Sequence, residues 1–294
     1  MRRAFTAILP MLLLLAALLP CGGFAADQAT ARQELLDLQG YLVWQRINEA
    51  RSNPRAALER LRIPVEQARA ALGDDAWILE EGLPPLALNP QLTSAASLHG
   101  RDMFTRLYYS HVNPEGAGPM ERIAAAGYQA VRENETLAIL IFSNYVELKL
   151  AVDFMIDTMM RDELVATPGV SRNIFSPEFS EAGIVFFAEA IPLLDGQPYA
   201  YLFVLDFAAP VTPQRYLVGV YDATTERVPV MMPYATGRWS VQPVLVAGMF
   251  QVPYPDGGVA IVLAGDGVET ISAPVFVYDE GDAKNKFVDL RAVQ

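Results

Sequence analysis

The residues that could carry chemistry are few in this chain of 294 residues. It has two histidines, His99 and His111, and a single cysteine, Cys21. A tight zinc site needs three or four protein ligands, so a His-rich zinc site within one chain is excluded. A Ser–His–Asp triad is not favoured, because no Gly-x-Ser-x-Gly turn is present and Ser110, adjacent to His111, is badly placed to donate to it. Neither a P-loop nor a dinucleotide-binding glycine motif occurs.

The composition indicates a globular protein that does not bind polyanions. Apolar residues make up 52% of the chain and the net charge is −12. This negative charge argues against nucleic acid and anionic lipid surfaces as electrostatic partners.

The N-terminus has the features of a secretory signal. Arg2 and Arg3 precede an apolar run from residue 4 to residue 19, and small residues follow at 23, 25 and 26. We therefore predict a signal peptide over residues 1–26, a periplasmic or extracellular location, and no membrane span after cleavage. A retained membrane anchor is less favoured because the run is short for a spanning helix. A lipoprotein attached at Cys21 is also less favoured, since Pro20 fits that signal badly.

Residues 27–209 show mixed helical and strand patterns. The periodicity predicts a helix that ends near Asn53, and a second that begins at Pro54. A further helix begins at Asn89-Pro90, a Gly/Pro loop covers 112–119, and another helix covers 145–160. Two apolar runs, 182–190 and 200–207, predict buried strands that are joined through Asp195-Gly196.

After Pro210 the helical periodicity disappears. Short β-rich runs occur at 216–221, 241–249, 259–263 and 275–278, separated by Gly, Pro and Asp. This pattern predicts a small all-β, sandwich-like domain over residues 210–294.

An ordered series of motifs runs along the first domain and is densest from Leu83 to Ala138. The series comprises Ile47-Asn48 with Arg51, Ala95-Ala96 with His99, Asp102-Met103, Tyr109-Ser110-His111, Pro114 with Gly116, Arg122-Ile123, Gly127-Tyr128, Glu133-Asn134 and, further on, Asn173-Ile174. This series resembles the bacterial branch of the CAP (SCP-like, cysteine-rich secretory protein type) superfamily. The resemblance implies an α+β protein whose first domain is a three-layer α/β/α sandwich with a mixed, mainly antiparallel sheet.

The resemblance also implies a cleft with two histidines and two acidic residues, a set that can hold a divalent cation. The first histidine corresponds to His111 and the first glutamate to Glu133, and Ser110 and Asn134 are flanking cleft candidates. Val170 occupies the position of the second histidine, and valine binds no metal and moves no proton. The second acidic residue falls near Asp157. His99 is interpreted as a core histidine with one hydrogen bond.

We therefore expect a degenerate cleft with no cofactor, beyond a weakly held divalent cation at His111, Glu133 and Asp157. The favoured function is a ligand-binding or interaction module of the cell envelope, for a small apolar molecule or an envelope component. One alternative is a metal-dependent hydrolase with His111 and Glu133 as catalytic candidates. Another is a structural or adhesive protein in which the β-domain is the functional part.

Overall fold

The computed structural model describes residues 21–191, 198–224, 227–238, 240–241, 244–246, 248–265, 272–278, 281 and 284–292. The first twenty residues of the predicted signal peptide and the predicted turn at Asp195-Gly196 lie outside the described residues. The α-helices are α1 (Cys21–Ser52), α2 (Pro54–Leu61), α3 (Val65–Leu72), α4 (Ile78–Glu81), α5 (Pro90–Arg106), α6 (Pro119–Ala125) and α7 (Leu148–Leu164), with a 3₁₀ helix at Gly73–Trp77. Within the described residues, no helix combines the length and apolarity needed to cross a membrane.

Asparagine–proline pairs set two helix starts, as the sequence predicts. The Asn53 side chain accepts a hydrogen bond from the backbone N–H of Ala56, and Pro54 is the first residue of α2. Asn89 caps α5 in the same way. A proline at the first helical position sacrifices no hydrogen bond, because that N–H has no partner inside the helix.

A four-stranded sheet forms the centre of the first domain. Its strands are β1 (Ala87–Leu88), β2 (Ala130–Phe142), β3 (Glu181–Ala190) and β4 (Tyr199–Pro210), in the order β1-β3-β4-β2. β1 is parallel to β3 and the other pairs are antiparallel, so the sheet is mixed and mainly antiparallel. The two predicted strands are confirmed as β3 and β4. Strand β2 was not predicted, because its charged first half conceals the continuous apolar run of its second half.

Helices cover both faces of this sheet. Along β4, Tyr201, Phe203 and Leu205 pack in the core that includes α1 and α7. The alternate residues Leu202 and Val204 pack against α5 instead. Because successive strand residues point to opposite faces, this division confirms the predicted three-layer α/β/α sandwich.

Two further four-stranded sheets form the second domain. Their strands are β5 (Tyr216–Val220), β6 (Arg227–Pro233), β7 (Ser240–Val241), β8 (Val244–Val246), β9 (Met249–Pro253), β10 (Val259–Gly265), β11 (Val275–Val277) and β12 (Lys286–Asp289). The orders are β11-β10-β6-β7 and β12-β5-β9-β8. Side chains of both sheets, among them Leu217, Phe250 and Ile261, share one core, which confirms the all-β sandwich. The run 241–249, predicted as one strand, contains β7, β8 and the start of β9.

The two domains pack directly on each other. Val218, Val220 and Met249 of the β-domain belong to the core of the first domain. The Gln251 amide pairs with the backbone of Leu88, accepting from its N–H at 2.6 Å and donating to its C=O at 2.9 Å.

A second polar contact joins the domains at Asn285. Its amide donates to the carbonyl oxygens of Pro85 at 2.9 Å and Ser180 at 2.8 Å. The division between residues 209 and 210 stays a prediction, and strand β4 itself continues to Pro210.

Candidate functional site

Glu135 of β2 is a buried carboxylate at the centre of a polar cluster that contains His111. Its Oε1 lies 2.8 Å from Nδ1 of His111, and its Oε2 accepts a hydrogen bond of 2.8 Å from Nη2 of Arg122. The Glu135 side chain has no exposed surface, whereas the His111 side chain is 56% exposed. The carboxylate therefore orients an imidazole whose other nitrogen, Nε2, remains on the solvent side of the ring.

Arg122 of α6 holds the turn that carries His111. Its Nη1 donates to the backbone carbonyl of His111 at 2.7 Å and to that of Ala117 at 2.9 Å. The same guanidinium bonds Glu135, so one side chain fixes both members of the His111–Glu135 pair. Planar guanidinium groups suit this role, because their N–H donors point in fixed directions.

His99 of α5 lies in the same cluster. It is buried, as predicted, and its Nε2 donates to the carbonyl of Ser110 at 3.0 Å. The same nitrogen is 3.8 Å from Oε1 of Glu135, so this core histidine also forms one wall of the site. Burial lowers the pKa of His99 although Glu135 acts in the opposite direction, which favours the neutral ring.

Asp206 completes the buried part of the cluster. It lies directly opposite Glu135 in the β2–β4 ladder, so the two side chains share one face of the sheet. Burial, with repulsion from Glu135, raises the pKa of Asp206 well above its ordinary value, and Arg122 opposes this. Within the described residues no donor reaches either carboxyl oxygen of Asp206, and a protonated Asp206 can donate to the adjacent Glu135. A carboxyl group in these surroundings is held in its neutral form.

Asp206→Asn is expected to become more stabilising relative to wild type as the pH rises. Because the folded-state pKa of Asp206 is raised, its contribution to stability is complete below the ordinary pKa of about 4 and is lost as the pH rises through the folded value. Asparagine resembles the protonated carboxyl group and does not titrate. Thermal unfolding of both proteins between pH 4 and pH 8 should show melting curves that diverge, and parallel curves would contradict the assignment.

The donor set around Glu135 does not fit a divalent cation. Both carboxylate oxygens are engaged, one of them by a guanidinium whose charge repels a metal ion. The Nε2 of His99 carries a proton that it donates to a carbonyl, so it is not available as a ligand. In the part of the chain that the structure describes, no group of three or more His, Cys, Asp or Glu residues is arranged to hold a metal.

The structure gives His111 a different acidic partner from the one inferred from sequence. The partner is Glu135, two residues after Glu133. Glu133 lies on the same face of β2, opposite Ala208, and is half-buried. Since residues two apart in a strand share a face, the sequence offered two glutamates for one position. Glu133 and Glu135 differ in how deeply they are buried, and the motif does not encode this difference.

The flanking cleft candidates have mainly local roles. The Ser110 hydroxyl accepts from the N–H of Val112 at 3.1 Å, and the Ser110 carbonyl bonds His99. Asn134 lies opposite Phe207, on the face of β2 that is turned away from Glu135. Ser110 therefore contributes to the cluster through its backbone, and Asn134 lies outside it.

The last two predicted residues lie on α7 and in the loop that follows it. Val170 is 42% exposed in the loop between α7 and β3. Asp157 is on α7, in the opposite helical layer, where it forms ion pairs with Arg46 and Arg60. The structure does not bring Asp157 to the cluster, and Asp206 is the acidic residue that lies beside Glu135.

An apolar crevice adjoins the polar cluster. It has a volume of about 200 Å³ and lies between α5 and the exposed end of β2. Its walls include Met103, Leu107, Tyr108, Tyr109, Ile139 and Ile141. The Tyr108 hydroxyl is 3.3 Å from Nδ1 of His99, and burial, together with Glu135, raises the pKa of Tyr109. These two tyrosines therefore border both the crevice and the cluster.

Comparison with known proteins identifies a family and several distant structural neighbours, among them two bacterial proteins. Residues 44–187 match the family model for CAP, described as the cysteine-rich secretory protein family. An outer surface protein from Borrelia burgdorferi aligns over 58% of this chain and 92% of its own, with 14% identity and a TM-score of 0.34. An extracellular protein containing an SCP domain, from Bacillus anthracis, aligns over 48% of this chain and 41% of its own, with 17% identity and a TM-score of 0.27. No curated protein sequence matches the chain.

Proposed function

Through residues 44–187 the chain belongs to the CAP family of cysteine-rich secretory proteins, and on that premise we propose that it is an exported binding protein. Its ligand is a small amphipathic molecule of the cell envelope. The apolar part occupies the crevice beside α5, and the polar part meets His111. Export is supported by the basic residues Arg2 and Arg3 and the apolar run that follows them.

The observation that carries this proposal is the contact between an apolar and a polar surface at the Tyr108-Tyr109 turn. The crevice volume of about 200 Å³ is smaller than that of a pocket for a drug-sized ligand, so it accommodates a short apolar chain. At its polar end, Nδ1 of His111 bonds Glu135. A neutral imidazole that donates from Nδ1 presents Nε2 as an acceptor, so the polar group of the ligand should be a hydrogen-bond donor such as a hydroxyl.

The alternative of a metal-dependent hydrolase has less support from the geometry. A metal ligated by Glu135 would have to displace the Arg122 guanidinium, which also holds the His111 turn. If that contact were lost, the Arg122 guanidinium, which has little exposed surface, would have no carboxylate partner. The residues present therefore favour binding over metal-assisted hydrolysis.

We expect 1-octanol to raise the melting temperature of the wild-type protein and to have no effect on Ile141→Asp. Ile141 lines the crevice and is 53% exposed, so the aspartate should leave the fold intact while making the crevice polar. A ligand at 100 times its dissociation constant adds about 2.7 kcal/mol to the free energy of unfolding. Thermal shift assays at increasing octanol concentration provide the measurement.

The matched control is Val131→Asp, at the opposite end of β2. Val131 is 68% exposed and does not line the crevice. This variant should retain the full octanol response. Loss of the response in both variants, or no response in the wild type, would refute the crevice as the binding site.

A further inference from the structure

Strand β3 has an edge that no neighbouring strand covers along most of its length. β1 pairs only with Glu181 and Ala182, because the chain turns into α5 after Asn89. Within the described residues, positions 183–190 of β3 have β4 on one side and no strand on the other. An open strand edge offers a row of backbone donors and acceptors for pairing.

The register identifies the backbone groups on this edge. The carbonyl of Ala182 accepts from the N–H of Asn89 at 2.9 Å, so Ala182 faces the open side. In an antiparallel ladder every second residue faces the same side, which assigns Ile184 and Phe186 to the open edge and Gly183 and Val185 to β4. No side chain of the described residues bonds the N–H or C=O of Ile184 or Phe186. Both residues are almost fully buried, at 6% and 2% exposure, so these four backbone groups lie inside the protein without a hydrogen-bond partner among the described residues.

A groove follows this edge. Its volume is about 480 Å³, and its floor includes Ile184 and Phe186. Gln33 and Asp37 of α1 form one wall, and Thr93, Ser97 and Arg101 of α5 form the other.

Two contacts define the ends of the groove. Gln251 of the β-domain lies at the β1 end, and at the far end Arg32 donates to the carbonyl of Ala188. Gly40 of α1 packs closely against this edge, because a Cβ at this position would lie 3.2 Å from the carbonyl oxygen of Ile184. The space is that of one extended chain lying between two helices.

The α5 wall carries a cation without a carboxylate partner. Arg101 is exposed and lies 5.9 Å from the centre of the Phe187 ring, and within the described residues it forms no ion pair. Because side chains alternate along a strand, every second residue of a bound strand would meet the α5 wall and the others would meet α1. An acidic side chain on the α5 side would complement Arg101.

We propose that the edge of β3 binds an extended peptide of about five residues, as an added strand, with an acidic side chain facing Arg101. The open edge from residue 183 to residue 188 is about 17 Å long at 3.3 Å per residue, which sets the peptide length. Strand addition obtains its affinity from main-chain hydrogen bonds and its specificity from alternate side chains. This site is separate from the crevice and the His111 cluster, so it does not depend on the function proposed for them.

The test uses two synthetic peptides, acetyl-Val-Glu-Val-Glu-Val-amide and its Lys counterpart, with the full mature chain. Long-range attraction to this acidic protein would favour the Lys peptide, so tighter binding of the Glu peptide would reflect the local contact with Arg101. Isothermal titration should show at least a tenfold preference for the Glu peptide. Hydrogen exchange measured by NMR should show protection of the Ile184 and Phe186 amides when it is bound.

Three variants make the result decisive. Ser97→Phe fills the groove and should abolish binding, whereas Ser94→Phe, on an exposed position of the same helix, should retain it. Arg101→Gln should remove the preference for glutamate and requires no change in packing. Binding without protection of the two amides, equal binding of a Glu peptide whose backbone amides are N-methylated, or no binding at millimolar concentration would overturn the proposal.

Discussion

Arg51→Leu is expected to lower the free energy of unfolding by about 3–5 kcal/mol, the range found when one partner of a buried charged contact is removed. Arg51 of α1 is buried and donates to four carbonyl oxygens, those of Pro84, Ile174, Ser176 and Phe179. Burial lowers the pKa of Arg51 to about 9, with Glu163 opposing this, so the guanidinium is still protonated at neutral pH. Leucine would leave the carbonyls unsatisfied and Glu163 without its nearby cation.

Urea unfolding of the variant and of two controls would measure this effect. Arg51→Lys retains the charge but has three donors on one atom, so it should recover only a small part of the loss. Arg55→Leu removes an exposed arginine that pairs with Glu80, and its effect should be much smaller. Similar losses for Arg51→Leu and Arg55→Leu would show that the buried network does not hold the 173–179 loop.

Glu135→Ala is expected to have the second largest effect, also about 3–5 kcal/mol, because Arg122 would lose a buried carboxylate partner. His111 would lose its orienting contact in the same variant. A double-mutant cycle with Arg122→Ala isolates the pair, since the double variant leaves no uncompensated charge. We expect the double variant to be more stable than the sum of the two single losses predicts.

Glu133→Ala is the matched control for the choice between the two glutamates. Glu133 is half-buried on the same face of β2, two residues from Glu135. Its replacement should change stability by less than about 0.5 kcal/mol, as is usual for surface positions without a buried network. If Glu133→Ala were the more damaging variant, the site would be centred on Glu133 as the sequence motif suggests.

The sequence predicts the fold of this protein better than its site. Proline and asparagine at residues 53–54 and 89–90 mark helix starts because their effects are local, and the structure confirms both. The two continuous apolar runs predict β3 and β4 equally well. The sequence does not predict strand β2. Burial of Glu135 depends on the cover that α5 and α6 provide, and no local sequence pattern records that cover.

The site residues that were missed depend on long-range register. Asp206 joins Glu135 because β2 and β4 pair at that position, although the two residues are far apart in sequence. Arg122 is part of the family motif, but its role follows from the turn at His111 that it bonds. The family resemblance placed the second acidic residue of the cleft near Asp157, and the face of α7 on which Asp157 lies decides otherwise.

The hydrogen bonds of Asn285 imply an order of events during synthesis. Its partners, the carbonyls of Pro85 and Ser180, precede it by 200 and 105 residues. A chain that leaves the ribosome or crosses a membrane N-terminus first presents both carbonyls long before residue 285 arrives. Until then water must solvate this part of the first domain. The contacts of Asn285 with the first domain therefore form only after residue 285 has been delivered, when all the residues of that domain are already present.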